Sequence, residues 1–367
     1  MSEHVLTIKT PGPLCTVQDS GRPGFQRFGV STSGAVDQTA LLLGNRLLGN
    51  DPNAPALEVT FGGFKAEFSA RAAFAITGGD LTATLNGTEV SLYTVLRAGQ
   101  GDQLAMSSPR SGLRAYLCIS GGFDLPRVLG SAATYIPGVM GGLRGRALQA
   151  DDKLSSGEAA ASPETGSVLN GITLPGWSQD IIVRVIPGPQ DEQFTEQGID
   201  TFFGSEFTVS DRSDRQGIRF DGPEIEAGQG GYEIVSDAIA TGSVQIPGDR
   251  RPIALLADRQ TTGGYPKIGV VATVDLPLLA QAAPGTRVRF ARMGVDEAVK
   301  ALRTRAQEIE RAVPVPPQLD SISVAIHGES YEVALPRKSV ATGEDGRFLA
   351  QVEVNGTLYT VSIREDA

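Results

Sequence analysis

RAAFAITGGDLTATLNGTEV, residues 71–90, decides how the rest of the chain is read. Apolar and polar residues alternate along it, and Asn86-Gly87 stands where a strand would reverse. A period of two places successive side chains on opposite faces of a pleated strand. Asn-Gly accepts the left-handed backbone of a two-residue hairpin turn, so this stretch reads as a β-hairpin. Just beyond it, LRAYLCISGGFD (113–124) is a short apolar run suited to a buried strand. On the other side one helix stands out, with Asp37 at its start, Leu41, Leu43, Leu47 and Leu48 as apolar positions and Gly49-Asn50 as its stop.

Composition agrees with a mainly β chain. Among 367 residues there are 45 Gly and 22 Pro, which suits many short strands joined by tight turns. That length exceeds what one core usually organises, so two domains and an appendage are expected. A net charge of −10 argues against nucleic acid or an anionic membrane surface as partner. No apolar run approaches the roughly 20 residues of a membrane span. MSEHVLTIKTPG lacks a basic segment followed by an apolar stretch, so no secretion signal is visible and a cytoplasmic location is expected. Cys15 and Cys118 lie far apart in strand-like contexts and read as two buried, reduced thiols.

The strand-rich first unit runs to about residue 155. Residues 156–178, rich in Gly, Ser, Pro and Ala, read as a linker or surface crossover. A second strand-rich unit covers 179–312 and ends in an amphipathic helix, VDEAVKALRTRAQEIERAV (295–313), with Val295, Val299, Leu302 and Ile309 near one face. LRAGQGDQLAM (96–106) echoes LAQAAPGTRVRF (279–290), each an apolar stretch, a Gly turn and a closing strand, which suggests two similar barrels in tandem. PVPPQ breaks the helix, and residues 318–367 read as a small accessory β-domain of four strands with Asn355-Gly356 at the last turn.

Several chemistries are missing. There is no G-x-x-x-x-G-K-[ST] loop, no G-x-G-x-x-G between strand and helix, and no G-x-S-x-G elbow. His4 and His327 are the only histidines, and both read as surface residues, so proton transfer would fall to carboxylates, Lys or Tyr. With two isolated cysteines there is no zinc signature and no metal site is expected.

Three clusters join polar residues to glycine. TVQDSGRPGFQRFGVSTSGAVDQTA (16–40) holds Gln18, Asp19, Arg22, Ser33 and Asp37. VSDRSDRQGIRFDGP (209–223) culminates in Arg215 and Arg219. SVQIPGDRRP (243–252), with Gln245, leads into LLADRQTTGGYPKIGVV (255–271), which packs Asp258, Gln260, Thr261, Thr262, Tyr265 and Lys267 around Gly263-Gly264. Each cluster has an ordinary structural explanation, since Asp-Ser-Gly makes turns and alternating Asp and Arg make surface ion pairs. Arg251 and Arg259 read as solvated flanking charges. The functional reading is that glycines let a ligand approach backbone N–H groups. Arg215 or Lys267 would hold a carboxylate or a polarised carbonyl. Gln18, Gln245 and Gln260 donate and accept at once, which suits an amide or ureido ligand.

TVQDSGRPGFQRFGVSTSGAVD, GNRLLGNDPNAPALEVTFGG, YLCISGGFDLPRVLGSAATY, IPGPQ, SDRQGIRFDGP and LLADRQTTGGYPKIGVV together resemble one family over roughly residues 5–300. It is the urea carboxylase carboxyltransferase-domain family, also known as allophanate hydrolase subunit 2, the C component of 5-oxoprolinase, or the antagonist of the sporulation kinase inhibitor. Three departures stand out: Val36 where Met is usual, Ala132-Ala133 where Arg-Ser is usual, and Ile218 and Phe220 within the GYRLEGP pattern. The lost Arg puts in doubt any anion contact made there. The resemblance implies two cyclophilin-like β-barrels and a cleft where the polar loops gather, with DRQTTGGYPK (258–267) as an active-site loop.

Three functions follow from the resemblance. The first is a subunit of an ATP-dependent 5-oxoprolinase-type amidase that opens a small cyclic amide, working beside a second cyclophilin-like subunit and a third, amidase-type subunit. ATP would enter through that complex, with no cofactor on this chain. The second is a carboxyltransferase subunit moving CO2 from carboxybiotin to a urea-like or other small acceptor, with Arg215, Lys267, Gln245, Asp258 and Tyr265 as donors, cation and base. None of the four Met residues precedes Lys, so biotin would arrive on a partner protein. The third is a non-catalytic regulator of a kinase inhibitor, which would not require the polar loops to face a pocket.

Overall fold

A computed structural model describes residues 4–317 and, beyond them, the backbone of strands Leu319–Ile326, Glu329–Pro336, Arg347–Val354 and Thr357–Arg364. The first of these strands pairs antiparallel with the second and the third with the fourth. The expected turn at Asn355-Gly356 and His327 lie outside the described residues.

The N-terminal unit is built of two antiparallel sheets. One runs Lys153–Ser155, His4–Pro11, Phe64–Phe68, Gln103–Met106, Ala83–Leu85, Thr88–Glu89. The other runs Leu14–Gln18, Ala56–Thr60, Ser111–Ile119, Ala72–Asp80, Leu96–Ala98. Leu6, Ile8, Phe64, Phe68, Phe74, Ile76, Leu104 and Leu117 form its core. The hairpin reading holds, because Thr88–Glu89 pairs with Ala83–Leu85 and both Asn86 (φ 53°) and Gly87 (φ 82°) are left-handed. The preceding strand Ala72–Asp80 departs from simple alternation, since residues 73–79 are all buried. Helix α1 (Gln38–Leu47) covers its far face, packing Leu41, Leu43 and Leu47 against Ala75, Tyr116 and Cys118. Gly44 permits that approach, because a Cβ there would sit 2.5 Å from Cys118 Sγ. Cys15 and Cys118 are buried free thiols.

The second unit closes as a seven-stranded barrel in the order Asp180–Pro187, Lys267–Val271, Ser243–Gln245, Ile253–Leu255, Gly217–Asp221, Glu206–Val209, Arg287–Arg292. Closure is made by parallel pairing of Arg287–Arg292 with Asp180–Pro187. Phe202, on helix α2 (Glu196–Gly204), stacks on Phe290 at 4.5 Å, and Phe207 and Phe220 join them in an aromatic core. Helix α3 (Leu276–Gln281) faces the first unit and helix α4 (Val295–Arg311) ends where the Pro-rich segment begins.

Two expectations change in detail. The 156–178 stretch carries a strand, Val168–Asn170, that pairs with Val313–Val315, so both crossover segments are tied to each other. Trp177 Nε1 also donates to the Gly78 carbonyl at 3.1 Å. On α4 the apolar positions Val295, Val299 and Leu302 are exposed, and Ala298 is the residue the helix buries. No helix among the described residues is long and apolar enough to cross a membrane.

Candidate functional site

The structure divides the expected site residues between two places. The first is the junction of the two units. Arg215 reaches out of the barrel unit with Nε on Asp258 Oδ2 (2.9 Å), Nη2 on Asp258 Oδ1 (3.2 Å) and the Gly34 carbonyl (2.6 Å), and Nη1 on Glu58 Oε1. Glu58 belongs to the first unit and also accepts from Val36 N (3.0 Å) and the Tyr116 hydroxyl (2.7 Å). Arg114 Nη1 donates to the Ala280 carbonyl, and Gln281 Oε1 accepts from the backbone N–H of Leu113 and Arg114, both at 2.9 Å. Gln281 Nε2 donates to Asp37 Oδ2 at 2.9 Å, while Asp37 Oδ1 caps α1 through Ala40 N.

Burial sets the electrostatics of this junction. It opposes the Arg215 charge, but Asp258 and Glu58 outweigh it and hold the guanidinium above its ordinary range. Burial likewise pushes Glu58 up, and Arg215 and Arg114 more than reverse this, leaving its carboxyl below the usual range. Asp37 takes its hydrogen bonds from neutral donors, Gln281 and Ala40. Burial raises it to about 6 against the hydrogen bonds from Gln281 and Ala40. Arg215 and Asp258, expected as cation and base for a substrate, therefore sit in a brace between the units with each other as partners.

Asp19 and Gln18 have a similar place. The Asp19 carboxylate accepts from Gly21 N (2.8 Å), Ser131 Oγ (2.6 Å) and Ala132 N (2.7 Å). Gln18 Nε2 donates to Thr16 Oγ1 (3.0 Å) and the Thr134 carbonyl (3.1 Å), and Arg22 donates to the carbonyls of Val128 and Ala133. Gln18 Oε1 and Arg22 Nη1 are buried without a partner among the described residues. Beside these residues a cavity of about 600 Å³ opens between the units. Ser20, Thr32 and Ser33 line it on one side, Leu256, Ala257 and Leu276 on the other, and Leu302 and Ile309 of α4 close it.

The second place is one end of the barrel. Lys267 is 2% exposed, yet its Nζ donates to Asp237 Oδ2 at 2.9 Å, and that carboxylate is half exposed. Gln190 completes the group: its Oε1 accepts from Lys267 N at 3.2 Å and its Nε2 donates to Asp237 Oδ2 at 3.1 Å. The hydrogen bond from Lys267 and the backbone N–H of Ala238 hold the Asp237 carboxyl below the usual range. Gln245, buried, donates to the Tyr265 carbonyl at 3.4 Å, and the Tyr265 ring is exposed. Thr262-Gly263 pairs with Asp237-Ala238, which sets the loop over this cluster. A Cβ on Gly263 would lie 2.7 Å from Ile239 Cδ1 and 2.8 Å from Gln245 Nε2, so a side chain there would make both of those ends shift. Gln260, Thr261 and Gly264 lie on the same loop.

Arg219 joins neither place. It faces outward from the barrel between buried Ile218 and Phe220. Arg259, expected as solvated, is buried and donates to the Ile239 carbonyl and Thr32 Oγ1. Sequence reasoning also passed over Asp237, Gln190, Glu58, Arg114, Tyr116 and Gln281. Glu58 carried a signal, being the lone charge in ALEVT (56–60), and Gln190 ends IPGPQ (186–190). Asp237, in a polar loop, carried none.

The pattern of the carboxyltransferase domain, subdomain A and B, matches residues 28–292. The Escherichia coli K12 protein named as the C component of 5-oxoprolinase is 37% identical over 307 residues, covering 84% of this chain and 97% of that protein. The Haemophilus influenzae protein of the same name is 39% identical, covering 82% of this chain and 94% of that one. Among solved structures, Kluyveromyces lactis urea carboxylase superposes with a TM-score of 0.79 at 27% identity, covering 92% of this chain but 33% of that much longer one.

Proposed function

Because the chain belongs to the family of the carboxyltransferase domain, subdomain A and B, we propose that it is the C-type component of an ATP-dependent 5-oxoprolinase-type amidase acting on a small cyclic amide. The observation that carries this reading is the extent of the match. The relatives named as 5-oxoprolinase C components are covered almost end to end, whereas the urea carboxylase holds a similar segment inside a longer chain.

The Lys267 cluster supplies chemistry for such a substrate. A buried ammonium on a rigid strand, reached through the half-exposed Asp237, is placed to take over a substrate carboxylate or the oxygen of an amide carbonyl under attack. Charge that develops on that oxygen is worth most where solvent is excluded, and Lys267 is almost fully enclosed. Gln190 and Gln245 can donate to an amide oxygen and accept from an amide N–H. With Tyr265 exposed above them, the loop glycines admit a ligand to backbone N–H groups. The nucleophile and the ATP site lie on companion subunits in this reading, and the chain carries no cofactor of its own.

The likeness to urea carboxylase favours a second reading, a carboxyltransferase subunit that receives carboxybiotin from a partner and passes CO2 to a urea-like acceptor. Reconstitution separates the two. The three-subunit mixture should open 5-oxoproline in the presence of ATP, and the chain alone should open none. ATP-independent carboxylation of urea by the chain with a carboxybiotinylated partner, and no ring opening, would replace the first reading with the second.

A further inference from the structure

Two loops of the first unit differ in charge from the rest of the chain. Residues 20–36 and 125–150 contain no Asp or Glu and hold Arg22, Arg27, Arg127, Arg144 and Arg146, in a protein whose net charge is −10. The loops lie side by side, because buried Arg22 of the first donates to the Val128 and Ala133 carbonyls of the second. Arg22 is buried and half-buried Arg146 is paired with Asp152, while Arg27, Arg144 and Arg127, the last 3.6 Å from Asp19, are exposed at the surface.

The same loops expose apolar side chains. Phe28 is 66% exposed and Val139 is 73% exposed, and Val128, Leu129 and Ile136 also face solvent. Leu129 (φ 54°) and Val139 (φ 49°) hold left-handed backbone. That conformation is costly for a β-branched residue, and Gly would relieve it. A chain selected only for its own stability gains nothing from a strained, solvent-facing valine. An apolar patch rimmed by one sign of charge marks a protein-binding surface.

We propose that these two adjoining loops, through exposed Phe28, Val128, Leu129, Ile136 and Val139 and the arginines beside them, dock a companion protein subunit by an apolar face bordered by Asp and Glu. The proposal rests on the amidase-subunit reading for the identity of that companion. Charge favours such a face: a second copy docked by this same surface would set arginine against arginine, whereas an acid-bordered face complements them.

The test measures the affinity of the purified chain for the purified second β-barrel subunit of the amidase. Val139→Gly should raise the melting temperature of the free chain while weakening binding about tenfold or more. Phe28→Ser should weaken binding similarly. The double variant Arg27→Glu, Arg144→Glu should slow association about tenfold at low salt, and raising NaCl from about 50 to about 300 mM should weaken the wild type by a similar factor. Unchanged binding by Val139→Gly and Phe28→Ser, in a mixture that still opens 5-oxoproline, overturns the surface and leaves the amidase reading intact. Patch-dependent binding in a mixture that opens nothing keeps the surface and removes that reading. Failure of the wild type to bind overturns both, and patch-dependent self-association in sedimentation assigns the surface to a second copy instead.

Discussion

Replacing Arg215 by Met tests whether the buried brace holds the two units together. Methionine keeps much of the apolar stem but removes every N–H, leaving Asp258, 5% exposed, without its ion-pair partner and Glu58, 1% exposed, with Arg114 at 3.9 Å as its remaining cation. Breaking a buried pair from one side typically costs about 3–5 kcal/mol, because a charge is left without compensation. Glu58 keeps its bonds from Val36 N and Tyr116, which places the cost nearer the lower end. At about 3 kcal/mol the melting temperature at neutral pH should fall by about 5 °C. The loss must also depend on pH. In the wild type the depressed Glu58 carboxyl contributes stability that is present above its unfolded value and is lost as pH falls through its folded one. In the variant Arg114 alone opposes burial, so the Glu58 carboxyl is held down less and this contribution shrinks. The gap between the two proteins should therefore widen from pH 4 to pH 7. Thermal melts of both proteins across that range measure it. A gap below about 1 kcal/mol, or one that stays constant with pH, would refute the reasoning.

Four further outcomes are expected. Lys267→Met should lower turnover of the reconstituted complex about 100-fold while moving the melting temperature by no more than about 3 °C, and Lys267→Arg should not restore it, because a planar fork does not replace a point charge in a tight loop; wild-type turnover in Lys267→Met removes the residue from the site. Asp37, raised to about 6, binds its proton more tightly in the folded state, so its contribution falls by about 3 kcal/mol between pH 4 and pH 7, and Asp37→Asn should flatten that part of the stability profile. Gly44→Ala should destabilise by about 1–3 kcal/mol, although Ala favours helix, because its Cβ would meet Cys118 Sγ at 2.5 Å, and adding Cys118→Ala should recover most of the loss. Truncation after residue 317 should leave the cooperative melt in place, whereas truncation after Arg311 removes the partner of Val168–Asn170 and should lower it.

The strands, the Asn86-Gly87 turn and α1 were legible because each rests on local pattern: period two, a left-handed dipeptide, an Asp cap. The site was legible in part. Glycine-flanked polar residues marked Lys267 and Arg215 as unusual, but sequence does not say which charges meet. Arg215 and Asp258 stand 43 residues apart and meet through strand pairing within the barrel, and Glu58 joins them only when the units pack. Asp237 became visible only when the pairing of 237–238 with 262–263 set it over Lys267. On α4 the apolar positions read near one face have different surroundings: Val299 and Leu302 are exposed, Leu302 at the cavity edge, and Ile309 packs against the core under α1.

Closure of the barrel has a consequence for biosynthesis. Arg287–Arg292 sits between Asp180–Pro187 and Glu206–Val209 and pairs with both, so the strand made last is the keystone between two made first. A nascent chain that has reached Val271 owns six of the seven strands but still has two open edges, each with unpaired backbone groups. Local hairpins can form early, but the seam waits for a contact spanning about a hundred residues, the slow kind of contact in folding. Until residue 292 has left the ribosome, those edges are where a neighbouring nascent chain could add a strand, and the aromatic core around Phe290 lacks its central ring.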